Sequence, residues 1–336
     1  MTQDRRTFLK TSALAGAAAA TGVPFTSTAP LAQKAAGLQA SPPGPMARGF
    51  VFATLARADG YGLGVRTDRG VLDVVAAEQD LKEGAPTTIT AVLDGKGDLA
   101  GLKRLVDKAK DNHFIAPDKA AFGPCVTNPE KIIGVGLNYR KHAAETGSTL
   151  PAQPSLFTKF NTTLNNHGGT IAVSREDAIR FDYEAELVVV IGKTTRNVTE
   201  ADAPGVIFGY CTGNDFSARD LQARSTLLGK SLDGAAPVGP WLVTSDLADG
   251  DNLKIECRVN GELRQSSNTA DMVFNCKQLV SYASRYFTLK PGDIIFTGTP
   301  EGVILGKPKD QQVWLKPGDT VVTSIEKLGD LEFKLT

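Results

Sequence analysis

The sequence predicts an α+β fold dominated by short β-strands. Three observations carry this. Thirty-four glycines among 336 residues supply many tight turns. Short apolar runs rich in β-branched residues recur between turn signals such as Asp59-Gly60 and Asn260-Gly261. Helical periodicity is confined to a few stretches, chiefly around Asp98–Asn112 and Asn275–Tyr286. The length fits two domains, or one large domain with an appendage. Hydrophobic residues make up 41% and charged residues 22%, so a folded core is expected. The 37 basic and 37 acidic residues cancel, which argues against a nucleic-acid surface or a polybasic membrane patch.

Taken in order, residues 1–32 differ from the rest. Asp4-Arg5-Arg6-Thr7-Phe8-Leu9-Lys10 precedes a mildly apolar stretch ending near Phe25. A charged start, a short apolar middle and a small-residue exit form an export signal, and the paired arginines give it the twin-arginine pattern. The stretch is too short and too rich in Ala and Gly for a stable membrane anchor. The expected destination is the periplasm or beyond, by way of the twin-arginine export machinery. Residues 33–46, rich in Ala, Gly, Ser and Pro, read as a linker.

Residues 47–125 read as a small N-terminal β-domain. Strands are expected at Gly49–Leu55, Tyr61–Arg66 and Gly70–Val75, with one helix near Asp98–Asn112. This region carries no cluster of titratable groups.

Residues 126–336 hold the candidate chemistry. Ile132–Leu137 reads as a buried strand, followed by a loop entering a short helix that carries His142 and Glu145. At i and i+3 the two share a helical face. A carboxylate beside an imidazole fixes its tautomer and raises its basicity, so the pair is either a general-base dyad or a chance surface pair. His113 and His167, the other two histidines, sit in loops and are expected to be solvated. Glu184 and Glu186 head the apolar run Leu187–Ile191 and, two apart on a strand, point to one side. Like charges so close are tolerated if solvated, protonated or bound to a cation. Asp215, after a second apolar run at Val206–Tyr210, is a candidate third carboxylate. Three oxygen ligands without thiolate or imidazole suit Mg²⁺ or Mn²⁺, with Ca²⁺ a further candidate. Lys230 falls in an irregular loop, Gly229–Pro240, from which an ammonium can reach an oxyanion. A hairpin is expected over residues 253–265. Leu289-Lys290-Pro291-Gly292-Asp293 recurs as Leu315-Lys316-Pro317-Gly318-Asp319, two turns of one type, each feeding a strand. Between them, Thr297–Gly302 is a tight glycine loop whose N–H groups can bind a carboxylate. Four cysteines, at 125, 211, 257 and 276, match no zinc-site spacing, and their pairing is not readable from sequence.

These pieces together resemble the fumarylacetoacetate hydrolase family. The matching stretches are Gly136-Leu137-Asn138-Tyr139 with His142 and Glu145, then Asp182-Tyr183-Glu184-Ala185-Glu186, then Asn214-Asp215 with Ala218-Arg219-Asp220-Leu221-Gln222. Gly229-Lys230-Ser231 and Pro291-Gly292-Asp293-Ile294-Ile295 with Thr297-Gly298-Thr299-Pro300 complete the order. The resemblance implies a mixed β-sandwich or roll, usually a homodimer, with a small N-terminal β-domain. It implies that Glu184, Glu186 and Asp215 chelate Mg²⁺ or Mn²⁺, that His142 and Glu145 form a lid dyad, and that Lys230 is the active-site lysine. Arg219, Gln222 and Thr299 match substrate-contacting positions. The chain departs from the pattern at Leu232, Ala235, Thr226-Leu227-Leu228 and Ile304, all bearing on the substrate pocket.

The expected activity is metal-dependent hydrolysis of a C–C bond in a 2-oxo or 1,3-dicarbonyl acid of the acylpyruvate kind. An isomerase or decarboxylase of an unsaturated 2-oxo dioic acid is the alternative. A non-catalytic exported module that binds small carboxylates is the alternative from another class.

Overall fold

The computed structural model describes residues 46–336, so the export signal and nearly all of the linker lie outside the described residues. A ten-stranded sheet forms the centre. From one edge its strands are Phe114–Ile115, Gly70–Asp73, Gly60–Thr67, Val51–Arg57 and Trp241–Thr244. It continues through Ile207–Asn214, Ala185–Ile191, Ile294–Phe296 and Ile132–Gly136 to Ser155–Lys159. A five-stranded sheet, ordered Glu262–Asn268, Lys254–Val259, Thr320–Ile325, Gly329–Leu335 and Gly169–Ile171, packs on one face.

The strand Ala185–Ile191 shows why the layers stack. All seven of its residues are buried. Leu187, Val189 and Ile191 join the core that includes Ile255, Val321 and Phe333 of the second sheet. Val188 and Val190 face the opposite core, which includes Leu102 and Leu105 of the helix Leu99–Lys108. A strand covered on both sides reads as a continuous apolar run rather than an alternation. Each fully buried aliphatic side chain contributes about 1.5–3 kcal/mol.

The four N-terminal strands, expected as a small β-domain, extend the central sheet: Val51–Arg57 pairs antiparallel with Trp241–Thr244. The described residues form one compact unit. Val74 and Val75 do not prolong the third strand. Asp73 caps a helix there, Val74–Leu81, by accepting from the Ala76 N–H. Other local readings hold. Asn275 and Gln278 form a capping box at the start of the helix Cys276–Tyr286. Asn260 and Gly261, both with positive φ, turn the hairpin between Lys254–Val259 and Glu262–Asn268. The two Leu-Lys-Pro-Gly-Asp copies adopt the same turn. Asp293 accepts from the Lys290 N–H at 2.8 Å and Asp319 from the Lys316 N–H at 2.9 Å.

Candidate active site

Strand pairing brings the acidic residues together. Ala185–Ile191 and Ile207–Asn214 run antiparallel with Glu186 opposite Gly213. Where that ladder ends, the Asp215 N–H donates to the Glu184 carbonyl at 2.9 Å. Position 213 must be glycine, since a Cβ there would stand 2.5 Å from Val188 Cγ2. The result is that carboxylate oxygens of Glu184, Glu186 and Asp215 lie within 4.8 Å of one another, all buried.

Three cations neutralise this cluster unevenly. Lys230 Nζ lies 2.6 Å from Glu184 Oε2 and 2.9 Å from Asp215 Oδ2. Lys159 Nζ donates to Asp215 Oδ1 at 2.6 Å and also to the Lys230 carbonyl. Arg219 donates through Nε and Nη2 to Asp182 Oδ2, reaches Glu184 Oε1 at 2.8 Å, and holds Gln222 Oε1 at 2.9 Å. Burial would raise the Glu184 carboxyl, but Lys230 and Arg219 bring it down to about 2. Among the described residues, Glu186 has only the Gly298 N–H, at 2.8 Å, as a hydrogen-bond donor. Burial, then Asp215 and Glu184, push its carboxyl well above the usual range. Burial opposes the Lys230 charge, yet Asp215 and Glu184 hold its pKa above the ordinary lysine value. Burial lowers Lys159 below that value, against the pull of Asp215.

The residues present fit a divalent cation. Among the described residues, the four carboxyl groups of Asp182, Glu184, Glu186 and Asp215 face three cationic groups, Lys159, Arg219 and Lys230, leaving Glu186 without a cation of its own. Asp215 Oδ2 is buried without a hydrogen bond; its 2.9 Å approach to Lys230 lacks the geometry of one. A buried, unsatisfied carboxylate oxygen beside an unneutralised carboxylate is a site short of positive charge. The all-oxygen donor set is of the kind that hard cations take.

Across from the cluster, His142 and Glu145 lie on the short helix Arg140–Glu145. His142 Nδ1 is 2.8 Å from Glu145 Oε1, and Glu145 Oε2 accepts from the Gly302 N–H at 2.8 Å. Glu145 thus ties the helix to the glycine loop. A cavity of about 380 Å³ is lined in part by His142, Glu184, Arg219, Gln222, Lys230 and Thr299. Glu145, Glu186 and Asp215 do not line it. Thr299 Oγ1 accepts from Gln265 Nε2 at 2.9 Å, while Gln265 Oε1 accepts from the Ala185 N–H. A larger hollow of about 510 Å³ near Glu130 and Lys290 lies elsewhere, and its one charge pair is already satisfied.

Three local expectations are corrected. Lys230 is not in an open loop: it ends the helix Thr226–Lys230 and is 3% exposed, because its ammonium is drawn into the acidic cluster. His113 is not solvated: it is buried, Nε2 lying 2.9 Å from Asp80 and Nδ1 accepting from the Lys110 N–H. His167 is half-buried, accepting from the Glu332 N–H and standing edge-on to Phe122. Sequence reasoning also missed Lys159, whose place in the strand Ser155–Lys159 resembles any edge-strand lysine. Asp182, which stands in one of the matching stretches, is a buried anchor of the site. Besides Arg219, it accepts from the Ile304 and Leu305 N–H groups at 2.9 and 3.0 Å. Ile304, one of the departures from the family pattern, buries its side chain in the core.

Residues 131–336 match the family described as "Fumarylacetoacetate (FAA) hydrolase C-terminal", and residues 2–22 match the twin-arginine translocation signal sequence. The chain is 38% identical over 275 residues to the mitochondrial oxaloacetate tautomerase fahd2 of Xenopus laevis, covering 80% of this chain and 83% of that protein. Its structure is similar to that of fumarylacetoacetate hydrolase from Exiguobacterium antarcticum, with a TM-score of 0.70, 31% identity, and coverage of 85% and 99%. It is also similar to fumarylpyruvate hydrolase from Pseudomonas aeruginosa in complex with Mn²⁺ and pyruvate. There the TM-score is 0.56 and the identity 31%, over 62% of this chain and 91% of that one. No helix of the described residues is long and apolar enough to cross a membrane.

Proposed function

Because this chain belongs to the fumarylacetoacetate hydrolase family, we propose that it is a divalent-metal-dependent enzyme converting a 2-oxo acid by proton transfer next to its 2-oxo group. The observation that carries this is the convergence of Glu184, Glu186 and Asp215 beside a cavity into which His142 also opens. Glu184, Glu186 and Asp215 would hold the ion. A bound Mg²⁺ or Mn²⁺ supplies Lewis-acid stabilisation of negative charge developing on the 2-oxo oxygen.

The chain's own residues divide the remaining tasks. With Nδ1 committed to Glu145, His142 presents Nε2 for proton transfer. Gln222 has its oxygen engaged by Arg219, so its amide N–H groups remain to bind a substrate carboxylate. Thr299 accepts from Gln265, so its hydroxyl hydrogen is free to donate. Lys230, fixed between Glu184 and Asp215, keeps positive charge at the cavity wall.

The first reading is keto–enol tautomerisation of a 2-oxo dioic acid such as oxaloacetate. It is supported by the tautomerase relative that matches over 80% of this chain. The C–C hydrolysis of an acylpyruvate expected from the sequence is the second reading. It uses the same dyad, with His142 taking a proton from water, and is supported by the likeness to fumarylpyruvate hydrolase. A non-catalytic carboxylate binder leaves the His142–Glu145 pair without a task. The reading includes export, with residues 1–32 removed and the enzyme acting in the periplasm as a homodimer.

A substrate panel tests it. In D₂O the enzyme should accelerate ketonisation of enol oxaloacetate, followed by its ultraviolet absorbance, and place deuterium at C3, read by NMR. Two acids released from an acylpyruvate, without acceleration of oxaloacetate ketonisation, would replace the first reading by the second. Turnover of neither substrate would overturn both.

A further inference from the structure

We propose that Cys125 and Cys211 are a disulfide site, oxidised once the chain has left the cytoplasm. The four cysteines divide between the two faces of the central sheet. Cys125 and Cys211 belong to the core on the N-terminal helix side, and Cys257 and Cys276 to the core between the sheets. No cross-pairing between these sets is compatible with the fold. Within the first set the Sγ atoms stand 2.8 Å apart, the closest partner either thiol has. Cys257 and Cys276 have no such contact. The first lies opposite Gln265 and Thr323 in the second sheet. The second begins the helix Cys276–Tyr286 beside Asp251.

The two partners differ in freedom. Cys211 is in the middle of Ile207–Asn214, paired with Val188 of one neighbouring strand, and the two residues before it, Gly209 and Tyr210, pair with the strand on the other side. Cys125 lies outside any strand, on a bend between Phe122 and Pro129, with its N–H donating to the Val238 carbonyl. Both are buried, so an oxidant reaches them when the bend opens, and Cys125 is the sulfur that moves. The reaction is thiol–disulfide exchange with a disulfide-bearing carrier or a small disulfide of an oxidising compartment. Cys125 sulfur bonds to one sulfur of the carrier, whose other sulfur leaves with the Cys125 proton. Cys211 sulfur then displaces the carrier from Cys125 and passes it the second proton. Two thiols are oxidised and one carrier disulfide is reduced to two thiols.

The bond would close a loop across 86 positions and tie the bend to the strand that ends one residue before Asp215. A cross-link over so long a loop acts mainly on the unfolded chain. The inference rests on export, which the twin-arginine match to residues 2–22 supports.

The test uses the full precursor, expressed in a bacterium with a working twin-arginine pathway. The mature protein from the periplasm is denatured without reductant, alkylated with iodoacetamide and weighed. Two alkyl groups are expected, on Cys257 and Cys276, with one linked peptide joining Cys125 to Cys211. Four alkyl groups on the exported protein would overturn the proposal. Reduction of the exported protein should lower its Tm by about 5–10 °C. The variant Cys125→Ser should carry three alkyl groups, no linked peptide, and a Tm insensitive to reductant. If the chain is not exported, the protein purified from the cytoplasm is incubated with oxidised glutathione and alkylated in the same way. A Cys125–Cys211 link there supports the pair although the export reading has failed. Four free thiols there overturn it.

Discussion

Glu186 lies in, and Glu184 and Asp215 one residue beyond, paired strands at the centre of a ten-stranded sheet, whereas His142 and Glu145 ride on a helix of six residues. The first group is held by register: Glu186 opposite Gly213, and the Asp215 N–H on the Glu184 carbonyl. Lys159, Lys230 and Arg219 then lock Glu184 and Asp215 in place. The second group is tied to the facing loop by the Gly302 N–H on Glu145, with only the largely exposed Lys141–Glu301 ion pair beside it among the described residues. A metal needs its ligands preorganised, because like charges will not gather unaided. A proton carrier needs one nitrogen free and can sit on a part of the fold that moves. The contrast predicts that changes in the cluster remove binding and stability together, while changes in the dyad remove rate alone.

The largest expected effect is at Glu186. Glu186→Gln removes the carboxylate that lacks a cation of its own and should abolish Mg²⁺ or Mn²⁺ binding and turnover, as read by calorimetry and by assay. Retained stoichiometric binding would show that the cluster is not the metal site.

His142→Ala should lower kcat by roughly 10²–10⁴, the usual contribution of a general base. Metal affinity should stay unchanged, since His142 touches no carboxylate of the cluster by hydrogen bond. Equal loss of metal binding would erase the distinction between the two groups.

Lys159→Met should show the stability side of the contrast. Removing one partner of a buried ion pair costs about 3–5 kcal/mol, which urea unfolding would register as a lower midpoint. Added Mg²⁺ should recover part of this loss, because the ion also neutralises Asp215. A variant as stable as the parent would mean that Lys159 carries no charge in the folded state.

The smallest effect is a proton count. Glu186 has a raised pKa in the metal-free protein, so its folded form keeps a proton at pH values where an ordinary carboxyl has lost it. Metal binding must expel that proton, so metal affinity should rise with pH until the folded pKa of Glu186 is passed. Calorimetry in buffers of different ionisation enthalpy should report proton release at the acid end, and none once that pKa is exceeded.

Much of this was legible in the sequence, for identifiable reasons. Glu184 and Glu186 are read as neighbours because a strand has a period of two, and His142 with Glu145 because a helix brings i and i+3 together. What sequence cannot show is register. Nothing in Ile207–Asn214 reveals that Gly213 will face Glu186, or that Cys211 will face Cys125 across 86 positions. Lys159 was missed because its partners, Asp215 and the Lys230 carbonyl, are far along the chain. The same holds for His113, whose partner Asp80 lies on the other side of the helix Leu99–Lys108 in sequence. The N-terminal strands were expected to form their own domain, since their turn signals are local. Their pairing with Trp241–Thr244 is not.

The most direct test of the central claim is metal removal and return on the wild-type enzyme. The protein is stripped with a chelator, dialysed, and assayed with enol oxaloacetate and an acylpyruvate while Mg²⁺ or Mn²⁺ is added back. The account predicts no turnover after stripping, recovery at one ion per chain, and no recovery in Glu186→Gln at any ion concentration that restores the parent. Full turnover by the stripped enzyme, with no ion detectable by elemental analysis, would contradict it.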